Sequence, residues 1–306
     1  LVRTCKYPLM ELEIENHNVG AVLLVTFCFQ MLTVLQVLSE PRTLYRLISS
    51  QVLGLQIKTV LWKFYCSIIG STLASKSLSR ESPDQQGLDM AQELLLWGSS
   101  SDGTSGKLKL AAFYLLLDNL DVAEDVLNEI HVNYIFKISN LSKQDLQAKL
   151  NENLTISEVI SHCCAFPVIY EASEIKSIPK ALIPEMFCTT RFNQDDPDET
   201  YWQKLVRVDA QVYTHFLEFV CHYRQGKTSH KNVALDNIIY VIKYNELQFK
   251  DTALNLLAYC LRQEGKLMNA FNILCKSMKL MKQQNAAIWQ IAALFNAAYR
   301  FLRGGQ

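Results

Sequence analysis

The sequence predicts an all-α protein in which helical hairpins stack into a short solenoid, preceded by a further helical region. Three observations predict this class. Apolar residues recur at helical spacing through most of the 306 residues, strand-type alternation with hairpin turns is not sustained, and one hairpin pattern repeats. Hydrophobic residues make up 49% of the chain, which is enough to offset chain entropy and excludes a disordered protein.

The N-terminal helical region is expected over residues 1–98. A helix is predicted to begin after Pro41 and a second one covers residues 60–78. Turn-rich residues 80–87 and 99–106 then bracket a short third helix.

An apolar run at residues 21–38 is close to the ~20 residues that a membrane-spanning helix needs. Gln30, Thr33 and Gln36 interrupt it on successive helical turns, and no basic cluster flanks it. The sequence therefore favours a buried helix in a helical protein over a membrane span.

A helical hairpin is clearest at residues 252–277, where Gly265 separates two apolar faces. The faces consist of Leu254, Leu257, Ala258 and Leu261 on the first helix and of Ala270, Ile273, Leu274 and Ser277 on the second. Small residues at matched positions allow two antiparallel helices to approach closely, and the large ones fill the groove between them.

The same pattern recurs elsewhere. The first apolar face recurs 34 residues later as Ile288, Ile291, Ala292 and Phe295. It also occurs 38 residues earlier as Phe216, Phe219, Val220 and Tyr223, where Gly226 provides the turn and Ala234 begins the returning face. A third echo has Leu110, Ala111 and Tyr114, a turn at Asp118 and Asn119, then Ala123 and Leu127. A repeat of about 34 residues that forms one hairpin is typical of tetratricopeptide arrays. Residues 107–306 are predicted to form a degenerate solenoid of this type, and the alternative is an irregular helical bundle.

A linker or long insertion is expected within this array, near residues 175–200. It holds Pro179, Pro184 and Pro197, which interrupt helices, and an acidic cluster at residues 195–199.

Several segments resemble the C-terminal region of certain large invertebrate proteins: GKLKLAAFYLLLDNLDVAEDVL, DETYWQKLVRVDAQVYTHFLEFVCHY, TALNLLAYCLRQEGKLMNAFNILCKS and NAAIWQIAALFNAAYR. Those proteins carry a nucleotidyltransferase-like module of the male-abnormal-21-like family, related to cyclic GMP-AMP synthase, followed by tetratricopeptide-like helices. The resemblance implies a helical tail and does not extend to the enzyme. Its paired acidic motif is missing, and its zinc element is not reproduced, because His162, Cys163 and Cys164 are contiguous here.

Two histidine–cysteine groups are candidates for a metal site: His162, Cys163 and Cys164 with Cys188, and His215 and Cys221 with His222. Adjacent ligands rarely surround one tetrahedral ion, and the second group lies in a core-rich helix, so packing is favoured for both. Phosphate-binding loops and nucleophile-elbow motifs are missing. We therefore expect no catalytic residue, metal or cofactor. The nine cysteines are widely spaced, which predicts free thiols in a reducing, cytoplasmic environment.

A partner-binding groove is predicted on the concave face of the array. Its candidate residues are Arg224, Asn255, Tyr259, Arg262, Trp289 and Asn296. Such a face could accept an extended peptide or a partner helix, with arginine recognising carboxylates, or it could pack against the first hundred residues of the chain. The best-known carboxylate clamp of tetratricopeptide proteins is not expected, because its positions hold Asn255, Tyr259 and Gln290.

Charge is uneven along the chain. Residues 221–306 carry twelve Lys or Arg and four Asp or Glu, a net charge of +8, although the whole chain is neutral. Lys276, Lys279 and Lys282 form a basic stripe, for which a solvated outer face is favoured. No nucleic-acid partner is expected, because the aromatic residues nearby are predicted to serve packing or the groove.

The sequence as a whole predicts a non-catalytic region for protein interaction or scaffolding, at the tail of a larger nucleotidyltransferase-like protein. Its partner would be a protein or peptide, including an upstream module of the same parent chain. The alternative is a nucleotide- or metal-dependent sensor or enzyme whose site is not evident in the sequence.

Overall fold

The computed structural model describes residues 51–132, 165–188, 205–281 and 285–304. These residues form ten α-helices and one pair of short strands. The helices are α1 (Gln51–Leu78), α2 (Gln85–Gly98), α3 (Ser105–Leu116), α4 (Leu120–Val132), α5 (Ile183–Cys188), α6 (Ala210–Gln225), α7 (Thr228–Tyr244), α8 (Lys250–Gln263), α9 (Leu267–Leu280) and α10 (Ala287–Gly304), and the strands are β1 (Val168–Tyr170) and β2 (Val206–Val208). The all-α class is confirmed.

Three hairpins, α3–α4, α6–α7 and α8–α9, close through the same turn. The residue at the turn has a positive φ in each case: Asp118 (62°), Gly226 (72°) and Gly265 (70°). The amide of the following residue donates to a carbonyl five positions back, as from Lys227 to His222 at 2.9 Å. This bond is characteristic of a Schellman turn, in which a helix ends in the left-handed conformation. The hairpins predicted from the repeated pattern are thus confirmed.

Each hairpin packs against the next along the chain. Helix α6 contacts both α3 and α4, α8 contacts both α6 and α7, and α10 contacts α8 and α9. Buried alanines, among them Ala123, Ala258 and Ala270, allow these helices to lie close together. One hydrophobic core runs from Ala74 in α1 to Leu294 in α10. Whether the hairpins follow the superhelical geometry of a tetratricopeptide array stays a prediction.

Residues 101–104 of the turn between α2 and α3 are buried, although their serine-rich sequence is typical of a surface loop. The side chain of Asp102 is fully buried and accepts hydrogen bonds from Ser105 Oγ at 2.7 Å and from the Gly106 amide at 3.2 Å. Its second oxygen accepts from the amide of Phe166 at 3.0 Å. The described part of the N-terminal helical region and the hairpins therefore share one core.

A polar junction attaches residues 165–177 to α1, to α3 and to the turn between α2 and α3; we define it as Asp102, Lys109, Glu171, Glu174 and Ser177. Lys109 Nζ donates to Glu174 Oε1 at 2.7 Å, and both side chains are buried, with 5% and 0% of their surface exposed. The other oxygen of Glu174 accepts from the Glu171 amide at 2.7 Å. The hydroxyl groups of Ser177 and Ser71 lie 2.8 Å apart.

The described part of the expected linker or insertion, residues 175–188, packs into the core. Ile178, Ala181, Leu182 and Met186 are buried there, so these residues form a packed insertion and not a free linker. Just before them, β1 pairs with β2 in an antiparallel register that places Val168 opposite Val208. These strands could not be predicted from the sequence, because three residues are too few to show alternation.

Only part of the apolar stripe predicted on α10 faces the core, which corrects the repeat alignment in its last copy. Ile288 and Phe295 are 50% and 63% exposed, while Ile291 packs partly against the core and Ala287, Gln290 and Leu294 are buried. Helix α10 is instead buried through the side that meets α8 and α9.

Within these ranges, no helix combines the length and the apolar character needed to cross a bilayer. The apolar run at residues 21–38 and the start of the helix expected after Pro41 lie outside the described residues.

Candidate binding site

A cavity of about 170 Å³ lies where the packed insertion, α8 and α10 meet. It is lined by Lys180, Ala181 and Pro184 from the insertion, Tyr259 and Arg262 from α8, and Trp289, Gln290 and Ala293 from α10. Three of the six predicted groove residues, Tyr259, Arg262 and Trp289, therefore come together at one site. Lys180 was not among the predicted groove residues, because its stretch was expected to be a linker or insertion.

Two cationic side chains border this cavity. Neither Lys180 nor Arg262 forms an ion pair with another residue in the described parts of the chain. The guanidinium of Arg262 lies 5.1 Å from the centre of the Tyr259 ring, an attractive arrangement for a cation and an aromatic face. Tyr259 is held in turn by an edge-to-face contact with Phe216. The wall of the cavity thus carries positive charge, and the contact with Phe216 holds the aromatic ring beneath that charge in place.

Gln290 contributes a hydrogen-bond donor that has no partner in the described parts of the chain. Its side chain is 6% exposed, and its Nε2 group makes no hydrogen bond with any described residue. An unsatisfied buried amide costs about 1–3 kcal/mol, so a group that accepts its hydrogen bond would bind favourably here. The neighbouring Trp289 is 47% exposed and offers a flat apolar ring at the opening.

Asn255, also predicted for the groove, is fully buried in a polar network. Its Nδ2 group donates to Glu185 Oε1 at 2.8 Å and to Asn285 Oδ1 at 3.1 Å. Asn285 in turn donates to the Ser277 hydroxyl at 3.0 Å, which explains why serine occupies a position where the repeat favours alanine. This network joins the insertion to α8 and to the start of α10, and so positions the cavity walls.

Glu185 is the titratable member of that network. Burial raises its pKa to about 7; the nearby Asp251 adds to this rise, and the hydrogen bond from Asn255 opposes it. Near neutral pH the carboxyl group therefore exists in both protonation states. Because Asn255 donates an N–H to it, the network stabilises the charged form.

Arg224 lies away from the cavity and links two hairpins. It donates to the carbonyl of Leu115 and, at 2.6 Å, to Asp118 Oδ1 at the turn of the α3–α4 hairpin. The corresponding turn of the next hairpin holds Gly226, which has no carboxylate. This difference explains why Arg262, at the repeat position equivalent to Arg224, forms no ion pair with that turn or with any other residue that the structure describes. The sixth predicted residue, Asn296, is exposed on α10 and does not line the cavity.

The candidate metal ligands are not assembled into a described site. His162 and its neighbouring cysteines lie outside the described residues. His215 is buried beside Glu218, with 2.8 Å between Nδ1 and Oε2. Burial raises the pKa of the Cys221 thiol to about 11, which disfavours the thiolate that metals require. Throughout the described ranges, no group of three or more His, Cys, Asp or Glu side chains is arranged to hold a metal ion.

Comparisons of the chain with family models, with curated proteins and with solved structures found no match. The resemblance to the tail of male-abnormal-21-like proteins therefore stays a prediction that depends on the segments given above.

Proposed function

We propose that this chain is a non-catalytic helical scaffold that binds a protein or peptide partner through an acidic group held in the cavity. One observation supports the proposal: two cations and an amide that have no ion-pair or hydrogen-bond partner among the described residues, from Lys180, Arg262 and Gln290, meet at a single cavity. A carboxylate accepts hydrogen bonds only, and both the guanidinium and the amide donate them. Charge-assisted bonds of this kind are about twice as strong as neutral ones.

The size of the cavity decides between a peptide and a larger ligand. Small-molecule sites usually enclose roughly 300–1,000 Å³, so about 170 Å³ suits one acidic side chain or a chain terminus. The exposed ring of Trp289 would then contact the rest of the peptide beside the cavity. The alternative function, a nucleotide sensor or enzyme, has no comparable support among the described residues.

The resemblance noted above extends this proposal to the parent protein. We propose that the chain is the C-terminal tail of a larger nucleotidyltransferase-like protein, and that an acidic segment of its upstream module is one candidate partner. The widely spaced cysteines support a cytoplasmic location for it.

Selection of short linear peptides on the immobilised chain tests the scaffold proposal. We expect enrichment of peptides with Asp, Glu or a free C-terminal carboxylate. Arg262→Glu should weaken the selected peptides by at least about tenfold in Kd, or about 1.4 kcal/mol, when measured by fluorescence anisotropy.

Two further variants separate binding from folding. Lys266→Glu changes an exposed lysine outside the cavity and should leave the affinity unchanged. Gln290→Leu removes the unpaired amide, so it should weaken binding without lowering the melting temperature. Selected peptides without acidic groups, or full affinity in both Arg262→Glu and Gln290→Leu, would contradict the proposal.

A further inference from the structure

A second and larger groove lies between the second helices of two neighbouring hairpins, α7 and α9. It encloses about 490 Å³, and α8 forms its floor. Leu254 and Leu257 at the floor are buried, while Ile239 and Leu280 on the walls are 42% and 58% exposed. The groove shares no residue with the cavity of the proposed function.

Four lysines stand around this apolar groove: Lys243 from α7, Lys250 from α8, and Lys276 and Lys279 from α9. All four are exposed, and none forms an ion pair within the described ranges. No Asp or Glu lines the groove. Lys276 and Lys279, which the sequence presented as part of a basic stripe, therefore border an apolar surface.

The dimensions match a helix. Along α9 the lining extends from Ile273 to Leu280, which at 1.5 Å per residue is roughly 10 Å. Residues i, i+3 or i+4, and i+7 of another helix span the same distance, so three apolar side chains in succession would fill the groove. Lysines on both walls would then meet residues on both sides of that apolar stripe.

We propose that this groove binds an amphipathic helix of a partner protein whose apolar stripe is flanked on each side by Asp or Glu. Charge complementarity selects this occupant, because burying an uncharged or basic helix would leave four ammonium groups unpaired at its edges. Two copies of the chain meeting groove to groove are disfavoured, because the lysines of one groove would face those of the other and residues 221–306 carry a net charge of +8. A flat anionic bilayer does not fit either, because the apolar residues continue to the floor of a concave surface.

The experiment uses the full chain and a fluorescent synthetic helix with Leu at i, i+3, i+4 and i+7 and Glu on both flanks. Two control peptides have the same length. In the first, the leucines are distributed around the helix and do not form one stripe, and in the second, Lys replaces each Glu. We expect the first peptide to bind with a Kd at or below about 100 μM, and the controls to bind at least about tenfold more weakly. Raising the salt concentration should weaken the complex.

Variants then locate the site. Lys276→Glu/Lys279→Glu and, separately, Leu280→Asp change exposed side chains, and each should reduce affinity at least about tenfold. The matched control Lys76→Glu/Lys266→Glu reverses two exposed charges outside the groove and should bind normally. Arg262→Glu should also bind normally, which separates this surface from the cavity. Circular dichroism checks that each variant is folded.

Several results would overturn this inference. If the peptide with dispersed leucines binds equally well, the apolar stripe has no role in binding. If the lysine-flanked peptide binds equally well, the acidic flanks have none. Full affinity in both groove variants would place the site elsewhere. Dimerisation in sedimentation that Leu280→Asp abolishes would assign the groove to a second copy, and binding to anionic vesicles in place of the helix would assign it to a membrane surface.

Discussion

The polar junction and the two hairpins α6–α7 and α8–α9 are stabilised in different ways. At the junction, buried charged and hydroxyl groups from distant parts of the sequence pair with one another, as Lys109 does with Glu174 at 2.7 Å. In the hairpins, buried alanines and leucines pack between neighbouring helices, and each turn closes through a residue with positive φ. Packing tolerates small changes, whereas an unpaired buried charge is costly. Loss of one partner should therefore lower the stability of the junction far more than a single change in a hairpin turn lowers that of the hairpins.

The largest expected effect tests this difference directly. Lys109→Met keeps the apolar stem and removes the charge, which leaves the Glu174 carboxylate buried without its cation. We expect a loss of about 3–5 kcal/mol in the free energy of unfolding, measured by urea denaturation.

Lys107→Met is the matched control, because this lysine pairs at 3.1 Å with Glu129, whose side chain is 65% exposed. Surface ion pairs contribute about 0–1 kcal/mol, so the loss should be small. The double variant Lys109→Met/Glu174→Gln should recover part of the stability. If both single variants lose the same amount, the distinction between the two regions fails.

A second, intermediate effect depends on pH. Burial, reinforced by the Glu174 carboxylate, raises the pKa of Glu171 to about 7, while Lys109 lowers it. The folded chain therefore keeps this proton to a higher pH than the unfolded chain does. Unfolding releases the proton between about pH 4.5 and 7, so the contribution of Glu171 to stability falls as the pH rises through that window.

Glu171→Gln mimics the protonated side chain and removes this dependence. Relative to the natural chain, the variant should gain stability between pH 5 and 8, by about 1–3 kcal/mol. Glu93→Gln, which changes an exposed carboxyl outside the junction, should show no such gain. A constant difference between Glu171→Gln and the natural chain across that range would contradict the expected titration.

The smallest effect concerns the hairpin turns. Gly265→Ala meets no atom within 4 Å, so its cost is the left-handed backbone alone, about 1 kcal/mol. Gly226→Ala should lose a similar amount for the same reason. Thermal unfolding measures both losses, and an increase in melting temperature for either variant would show that the turn does not impose the conformation described above.

The sequence was most informative where contacts are local and periodic. The turns at Asp118, Gly226 and Gly265 could be predicted because helical spacing on either side defines two faces. The orientation of α10 could not be predicted. The repeat indicates which residues of α10 match those of earlier copies, but it does not indicate which helices α10 contacts. The polar junction was also missed, because its hydrogen bonds join residues far apart in the chain.

The cavity illustrates the same limit at the candidate site. Tyr259, Arg262 and Trp289 could be predicted from equivalent positions in the repeat. Arg224 has the same repeat position as Arg262 but a different environment, since one turn provides Asp118 and the other provides Gly226. Lys180 comes from a segment outside the repeat, where no periodic signal exists to place it.

The hydrogen bond from the Phe166 amide to Asp102 has a consequence for how this molecule can change over evolutionary time. Repeat proteins commonly gain, lose or exchange whole units, because each unit depends only on its neighbours. Here the amide at position 166 depends on a carboxylate that lies before the whole α3–α4 hairpin. Because any residue except proline supplies a backbone amide, the constraint falls on Asp102, and exchange of the segment that carries it for one without an acceptor would leave the buried amide without its hydrogen bond.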